Sequence, residues 1–254
     1  MCEQQEIPLF DRQTAVQKGI IHAENHQRNH RRLGGFYGRV ASRQNETILR
    51  HCQGQSVLDV GAGYGNFTRQ LLNAGKKAVG IEIDEEKISR AREWFGVELQ
   101  FADFYDWKCK EGSVDTIVFR EVLNHLNLDT TLIKAFRITR YRCLVFQGTE
   151  ILPLRMAKRM YCHTEYNQKR IEDIILGLKQ VGFIVRRVIF CDVIAFPLSG
   201  GFAGRCLVPS LRLAALFVLG IDSVADRLIN MLRLGRFLCF RVLIVAEKPG
   251  LGDS

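Results

Sequence analysis

The hydrophobic positions of this chain change period repeatedly, and the changes mark out its elements. Val57, Leu58 and Val60 form a compact run of β-formers, after which Phe67, Leu71, Leu72 and Ala74 recur at helical spacing up to Gly75. The exchange then repeats. Residues 77–84 read as a buried strand with an acidic end, 85–94 as a helix, 97–102 as a third strand and 114–119 as a fourth. A helix over 129–141 with Asp129 as its cap, a fifth strand at 143–147, and a helix capped by Thr164 and ending near Val181-Gly182 follow. Ahead of the first strand, 37–51 reads as a helix carrying Val40, Ile48 and Leu49. Two long runs, 183–196 and 237–247, read as strands with no ordinary core helix between them, which predicts an antiparallel hairpin at one sheet edge. Strands alternating with helices predict a doubly wound α/β fold, a mostly parallel sheet with helices on both faces.

The chemistry concentrates between the first strand and its helix. Residues 57–65 read V-L-D-V-G-A-G-Y-G. Glycines let the backbone approach a ligand that a Cβ would repel, and the helix start behind them offers unpaired N–H groups. A dinucleotide loop wants G-x-G-x-x-G, but here the spacing is G-x-G-x-G and Asn66 stands where the third glycine would be. Asp59, two residues before Gly61, has a carboxylate that can reach the turn and a nearby cation. Glu82 ends the second strand, where a carboxylate can accept two hydrogen bonds from a ribose diol, while Asp84 suits the cap of the next helix.

The stretch resembles the first motif of the class I S-adenosylmethionine-dependent methyltransferases, V-L-D-x-G-x-G-x-G, and the similarity extends over roughly residues 37–249. The resemblance implies a seven-stranded sheet in the order 3-2-1-4-5-7-6 and S-adenosyl-L-methionine as cofactor. It places the cofactor on Asp59, Gly61, Ala62, Gly63 and Gly65, with Glu82 on the ribose and Ile83 against the adenine. Asp103 would take the adenine amino group, with the Phe104 N–H on a ring nitrogen. Residues 120–126, R-E-V-L-N-H-L, look like the E-V-L-x-H-L element of small-molecule methyltransferases. By that likeness Arg120 lines the methionine moiety, and Glu121 and His125 face the acceptor as the catalytic candidates. An imidazole ionises near neutrality and can accept a proton from a hydroxyl or activated carbon. The implied reaction is in-line transfer of a methyl group to an O or C acceptor on a small molecule, hydrophobic or lipid-like in the sharper reading. The N/D-P-P-Y/F element of amino-group methyltransferases is absent, which lowers those substrate classes.

Composition adjusts this picture at a few points. A net charge of +9 suits a polyanion or an anionic membrane, so RNA methyl transfer is one competing class and a non-catalytic cofactor-binding regulator another. No RNA-binding module is recognisable, and nucleic acid ranks below a small-molecule acceptor. Eight cysteines without C-x-x-C or metal spacing read as reduced thiols and predict no metal. Residues 1–36 read as an N-terminal helical arm with His22, His26 and His30 on one face, better taken as a solvated basic face than as a metal stripe. Met1 to Asp11 has no apolar core, so a cytoplasmic setting is expected, with the inner face of a membrane as the alternative. The remaining 37–254 form the Rossmann-like domain, in which 197–236 are an apolar helical insertion before the last strand. Leu211, Leu216, Phe217 and Leu219 crowd its first part, Asp222 or Ser223 would cap a second helix ending at Gly235, and Arg205, Arg212, Arg227, Arg233 and Arg236 frame both. A helical pair packed on the sheet is the plain reading; an open face for an anionic membrane or a greasy acceptor is the sharper one.

Overall fold

The computed structural model describes residues 35–149, 169–200, 206–208 and 211–250. The predicted arm at 1–36, its histidines, Thr164 and Arg205 lie outside them, apart from Gly35 and Phe36. Helix α1 (Phe36–Leu49) precedes β1 (Ser56–Val60), α2 (Asn66–Asn73), β2 (Lys77–Glu82), α3 (Glu85–Phe95) and β3 (Gln100–Phe101). Then come β4 (Val114–Arg120), a single 3-10 turn (Leu123–His125), α4 (Leu128–Ile138), β5 (Thr139–Gly148), α5 (Ile171–Gln180) and β6 (Ile184–Cys191). The chain closes with α6 (Ala195–Leu198), α7 (Arg212–Met231), α8 (Gly235–Leu238) and β7 (Arg241–Glu247).

The strands form one seven-stranded sheet in the order β3-β2-β1-β4-β5-β7-β6, as expected. The β1, β2, β3, β4 and β5 pairings are parallel, and β7 enters antiparallel between β5 and β6. Alternate residues of a strand face opposite sides, so a sheet covered on both faces needs unbroken apolar strands. Ile117, Phe119, Val145 and Ile244 pack with Leu132, Ile138, Ile174 and Leu178 from α4 and α5. Val118, Leu144 and Val245 face the other way, onto Ile48 of α1 and Phe67 and Leu71 of α2.

Several boundaries differ from the sequence pattern. The run 183–196 is not one strand: β6 stops at Cys191, Asp192 takes φ +65°, and Ala195 starts a short helix. Likewise 237–238 belong to α8, so β7 starts only at Arg241. Both runs are apolar because the short helices are themselves packed. A Cβ on Gly235 would lie 2.5 Å from the Phe190 Cβ, so α8 sits directly on β6. The third strand is two residues long, since Val97 and Leu99 are buried under Ala91 of α3 rather than paired in the sheet. Asn127, not Asp129, caps α4 by accepting from the Thr130 N–H.

The insertion departs most. Neither Asp222 nor Ser223 starts a helix; α7 runs unbroken through both, and Asp222 is buried in its middle. There it pairs with Arg43 of α1, which also pairs with Asp192 at 2.7 Å, and it accepts the Ile194 and Ala195 N–H groups at 2.5 and 3.0 Å. A helix-interior aspartate is tolerated because the buried guanidinium requires a counter-charge.

Asp226, one turn further on, completes the cluster by accepting the Asp192 and Val193 N–H groups at 3.3 and 3.4 Å. Burial, with repulsion from Asp222 and Asp192, pushes its carboxyl up to about 7, against the weaker pull of Arg43. The folded chain thus holds this proton to near neutrality, whereas an unfolded aspartate releases it at about pH 4. The group therefore lowers stability as pH rises from about 4 to about 7, with no further loss above. Asp59 and Asp192 are shifted upwards as well, so part of the trend survives without Asp226. The thermal midpoint should fall less between about pH 5 and about pH 8 in Asp226→Asn than in the wild type. Equal slopes in scanning calorimetry would contradict this.

Candidate functional site

Parallel strands leave a crevice beyond their carboxyl ends, and ligands in open α/β sheets bind there. Here it is a cleft of about 740 Å³ that runs over the ends of β1, β2 and β4 and beneath α1.

The turn after β1 forms its floor. Gly61 and Gly63 adopt φ +67° and +57°, in the left-handed region. A Cβ on Gly61 would strike Val122 at 2.5 Å, whereas one on Gly63 would meet nothing within 4 Å. Gly61 is thus required by packing, and Gly63 opens its backbone face to the cleft. The Gly63 N–H donates to the Glu82 carboxylate at 2.7 Å, and the Ile83 and Asp84 N–H groups donate to the same side chain at 3.0 and 3.2 Å. Glu82 is therefore held rigidly, almost fully buried, with an edge on the cleft. Asp84 caps α3 through the Glu86 and Lys87 N–H groups, the role its position predicts.

Beyond Glu82 the wall consists of Ile83, Asp103, Phe104 and Tyr105. Ile83 is 64% exposed, and Asp103 accepts the Tyr105 N–H at 2.7 Å, which fixes its carboxylate at the strand end. Two residues expected at the ligand stand behind the cleft wall. Asp59 is buried and accepts from the Thr68 hydroxyl at 2.7 Å, tying β1 to α2, and burial pushes its carboxyl up to about 6. Gly65 starts α2 and packs against Ala91 and Val97.

A further part of the lining contains Arg120 and Glu121; His125 lines the cleft too, two residues before Asn127, whose N–H donates to the Tyr105 hydroxyl at 2.7 Å. Arg120 ends β4 opposite Phe146, and its Nε is buried without a hydrogen-bond partner among the described residues, while one terminal nitrogen reaches Gln44 at 3.4 Å. Glu121 takes φ +58°, a left-handed conformation that is costly outside glycine, and pairs with Arg241 at 3.3 Å. His125 ends the 3-10 turn and is exposed at the cleft rim.

Four further residues complete the lining and escaped the sequence reading. Tyr37 and Gln44 lie on α1 with Val40 and Ala41, an i, i+3, i+4, i+7 face that points into the cleft. That spacing was the available signal. Burial pushes the Tyr37 phenol above its ordinary value against the pull of Arg120 and Arg241, so it remains a neutral O–H. Phe196 and Arg241 come from α6 and the start of β7, and nothing local in the sequence marks them.

Comparison with known proteins agrees with this geometry. Residues 57–141 match the family model described as a methyltransferase domain. Over these residues the chain is similar to a methyltransferase domain. It is 31% identical over 144 residues to an uncharacterized methyltransferase of Anoxybacillus flavithermus, covering 55% of this chain and 63% of that one. The chain thus spans less than two thirds of this relative's length. A SAM dependent methyltransferase from Archaeoglobus fulgidus shares the fold with TM-score 0.56 and 18% identity over 82% of this chain and 93% of that one. Geranyl diphosphate C-methyltransferase from Streptomyces coelicolor A3(2), solved with Mg2+, geranyl diphosphate and S-adenosyl-L-homocysteine, does so with TM-score 0.58 and 15% identity, over 84% and 81% of the two chains.

The charge-assisted bonds available at Glu82 set the first test. Glu82→Gln should weaken S-adenosylhomocysteine binding by about tenfold to a hundredfold, or roughly 1.4–2.8 kcal/mol. Asp84→Asn should do much less, because its carboxylate is spent on the α3 cap. Equal effects in calorimetry would reassign the ribose contact.

Proposed function

We propose that this chain transfers a methyl group from S-adenosylmethionine to an O or C acceptor on a small, largely apolar molecule. One observation carries the reading: the glycine turn and Glu82 line the same cleft as Val40, Phe146, Phe196 and Arg120. The residues suit the cofactor. Gly63 leaves open the space a Cβ would fill, Glu82 offers a carboxylate edge to a diol, and the orphaned Arg120 Nε suits a carboxylate.

When bound, S-adenosylmethionine supplies an electrophilic methyl group on a sulfonium sulfur. The protein's work is then orientation and exclusion of water. The glycine turn, Glu82 and Asp103 would hold the nucleoside, Ile83 would lie against the adenine, and Arg120 would anchor the methionine end. An apolar acceptor would pack on Phe196, and His125 would supply an imidazole able to take a proton from it. Glu121 holds Arg241 in place beside the acceptor.

The apolar character of the acceptor is supported by α7. Its inner face packs through Ala215, Val218 and Leu219 on Phe36, Val40 and Ala195. Its outer face carries Leu213, Leu216, Phe217, Val224, Leu228 and Met231, all at least half exposed, and Arg212, Arg227, Arg233 and Arg236 are exposed beside them. No helix among the described residues is long and apolar enough to cross a membrane. An apolar stripe with cationic flanks fits a helix lying in the plane of an anionic bilayer, where a lipid-like acceptor would be met.

Incubation with methyl-labelled cofactor and fractionated cell extract should send label into the lipid or apolar-metabolite fraction, and His125→Ala should slow that transfer while S-adenosylhomocysteine binding persists. Label entering only RNA or protein would overturn the acceptor class. The wild type should also sediment with phosphatidylglycerol vesicles but not with phosphatidylcholine vesicles, and Leu216→Ser/Phe217→Ser should lose this binding while staying folded. Equal sedimentation with both lipids would overturn the membrane reading.

A further inference from the structure

We propose that the acceptor is an amphiphile bearing an anionic group, and that Arg241 is the residue that holds that group; this rests on the methyl-transfer reading of the cleft. The cleft is electrically divided. Its nucleoside end carries Glu82, Asp84 and Asp103, with Lys87 as the cation, while its other end carries Arg120 and Arg241 against Glu121. Among the described residues lining that second end, two guanidiniums face one carboxylate, which leaves one positive charge. A bound methionine moiety brings a sulfonium and an ammonium against one carboxylate, so it adds a second. Like charges gathered in a half-enclosed cleft repel strongly, and an anion on the acceptor removes the imbalance.

Arg241 is built for that anion. It begins β7, opposite Gly148 of β5 and Cys191 of β6, so a rigid strand aims it into the cleft. Its guanidinium lies 3.9 Å from the Phe196 ring centroid, which fixes the plane, and its Nε faces Glu121. Of its terminal nitrogens, Nη1 has only the Phe240 carbonyl at 3.5 Å, and Nη2 has no hydrogen-bond partner among the described residues. A planar fork with an open edge, half-buried on an aromatic ring, is the geometry that takes a carboxylate or phosphate bidentately. Arg120 has a separate duty at the methionine end, so the two arginines divide cofactor from acceptor. Phe146, Phe196 and Val40 then receive the acceptor's apolar body.

The test measures binding rather than turnover. Calorimetry on the S-adenosylhomocysteine-loaded protein compares decanoate, decyl phosphate and decanol. At least one anion should bind about tenfold or more tightly than the alcohol, and which anion leads distinguishes a carboxylate from a phosphate group. Arg241→Gln should erase that preference while S-adenosylhomocysteine affinity stays at the wild-type value. Glu121→Gln, which removes the competing carboxylate, should increase the preference; a merely structural pair would not give opposite signs. Decanol bound as well as both anions, or a preference that survives Arg241→Gln, overturns the proposal while cofactor binding stands. Failure of the wild type to bind S-adenosylhomocysteine overturns the methyl-transfer reading itself, and the proposal with it.

Discussion

Arg43 sits between α1 and the insertion, and a guanidinium there cannot go without counter-charges. Asp192 and Asp222 supply them from the end of β6 and the middle of α7. Each aspartate also has a second partner that shapes the cleft. Asp192 accepts from the Gln44 amide at 2.5 Å, which leaves the Gln44 oxygen for Arg120. Asp222 accepts the first N–H groups of the turn into α6, and that helix presents Phe196. The rotational setting of α1, the direction of Arg120 and the placing of Phe196 in the cleft wall thus depend on one ion cluster. Breaking a buried pair by removing one partner typically costs about 3–5 kcal/mol. Here the loss would fall directly on the site.

The second constraint is the brace between the first two strands. Gly63 donates to Glu82, so the glycine turn and the carboxylate at the end of β2 are fixed to each other. The part of the cleft at Glu82 is therefore preorganised by backbone N–H groups, and the part at Arg120 and Phe196 by side-chain ions. These differ in how tightly they bind a chain to one sequence. A backbone donor is present whatever the residue, whereas an ion cluster fails when one member changes.

That difference explains what could be read directly. The strands, their order by resemblance, the glycine turn, Glu82, the Asp84 cap and the Arg120–His125 segment are local features, each carried by residues close in the chain. Asp59 and Gly65 sit in the same motif, yet they serve the scaffold: one anchors Thr68, the other packs on Ala91 and Val97. A motif spacing does not separate a residue that touches a ligand from one that supports the loop. Strand ends were overrun at Cys191 and Arg241 because an apolar run looks the same in a strand and in a short packed helix. Asp222 looked like a cap because aspartate is favoured there, and only the distant Arg43 gives it a reason to stand mid-helix.

The sequence by itself determined the α/β architecture and the glycine-turn part of the cleft, since periodicity and a glycine turn act within a few residues of each other. Tertiary structure alone decided the part of the cleft around Arg120. Tyr37, Gln44, Phe196 and Arg241 converge there from α1, α6 and β7, elements that lie up to about two hundred residues apart in the chain. Their meeting follows from long-range pairing of β7 between β5 and β6 and from charge compensation at Arg43. Neither leaves a local pattern, because both depend on which distant groups the fold brings within a few ångströms.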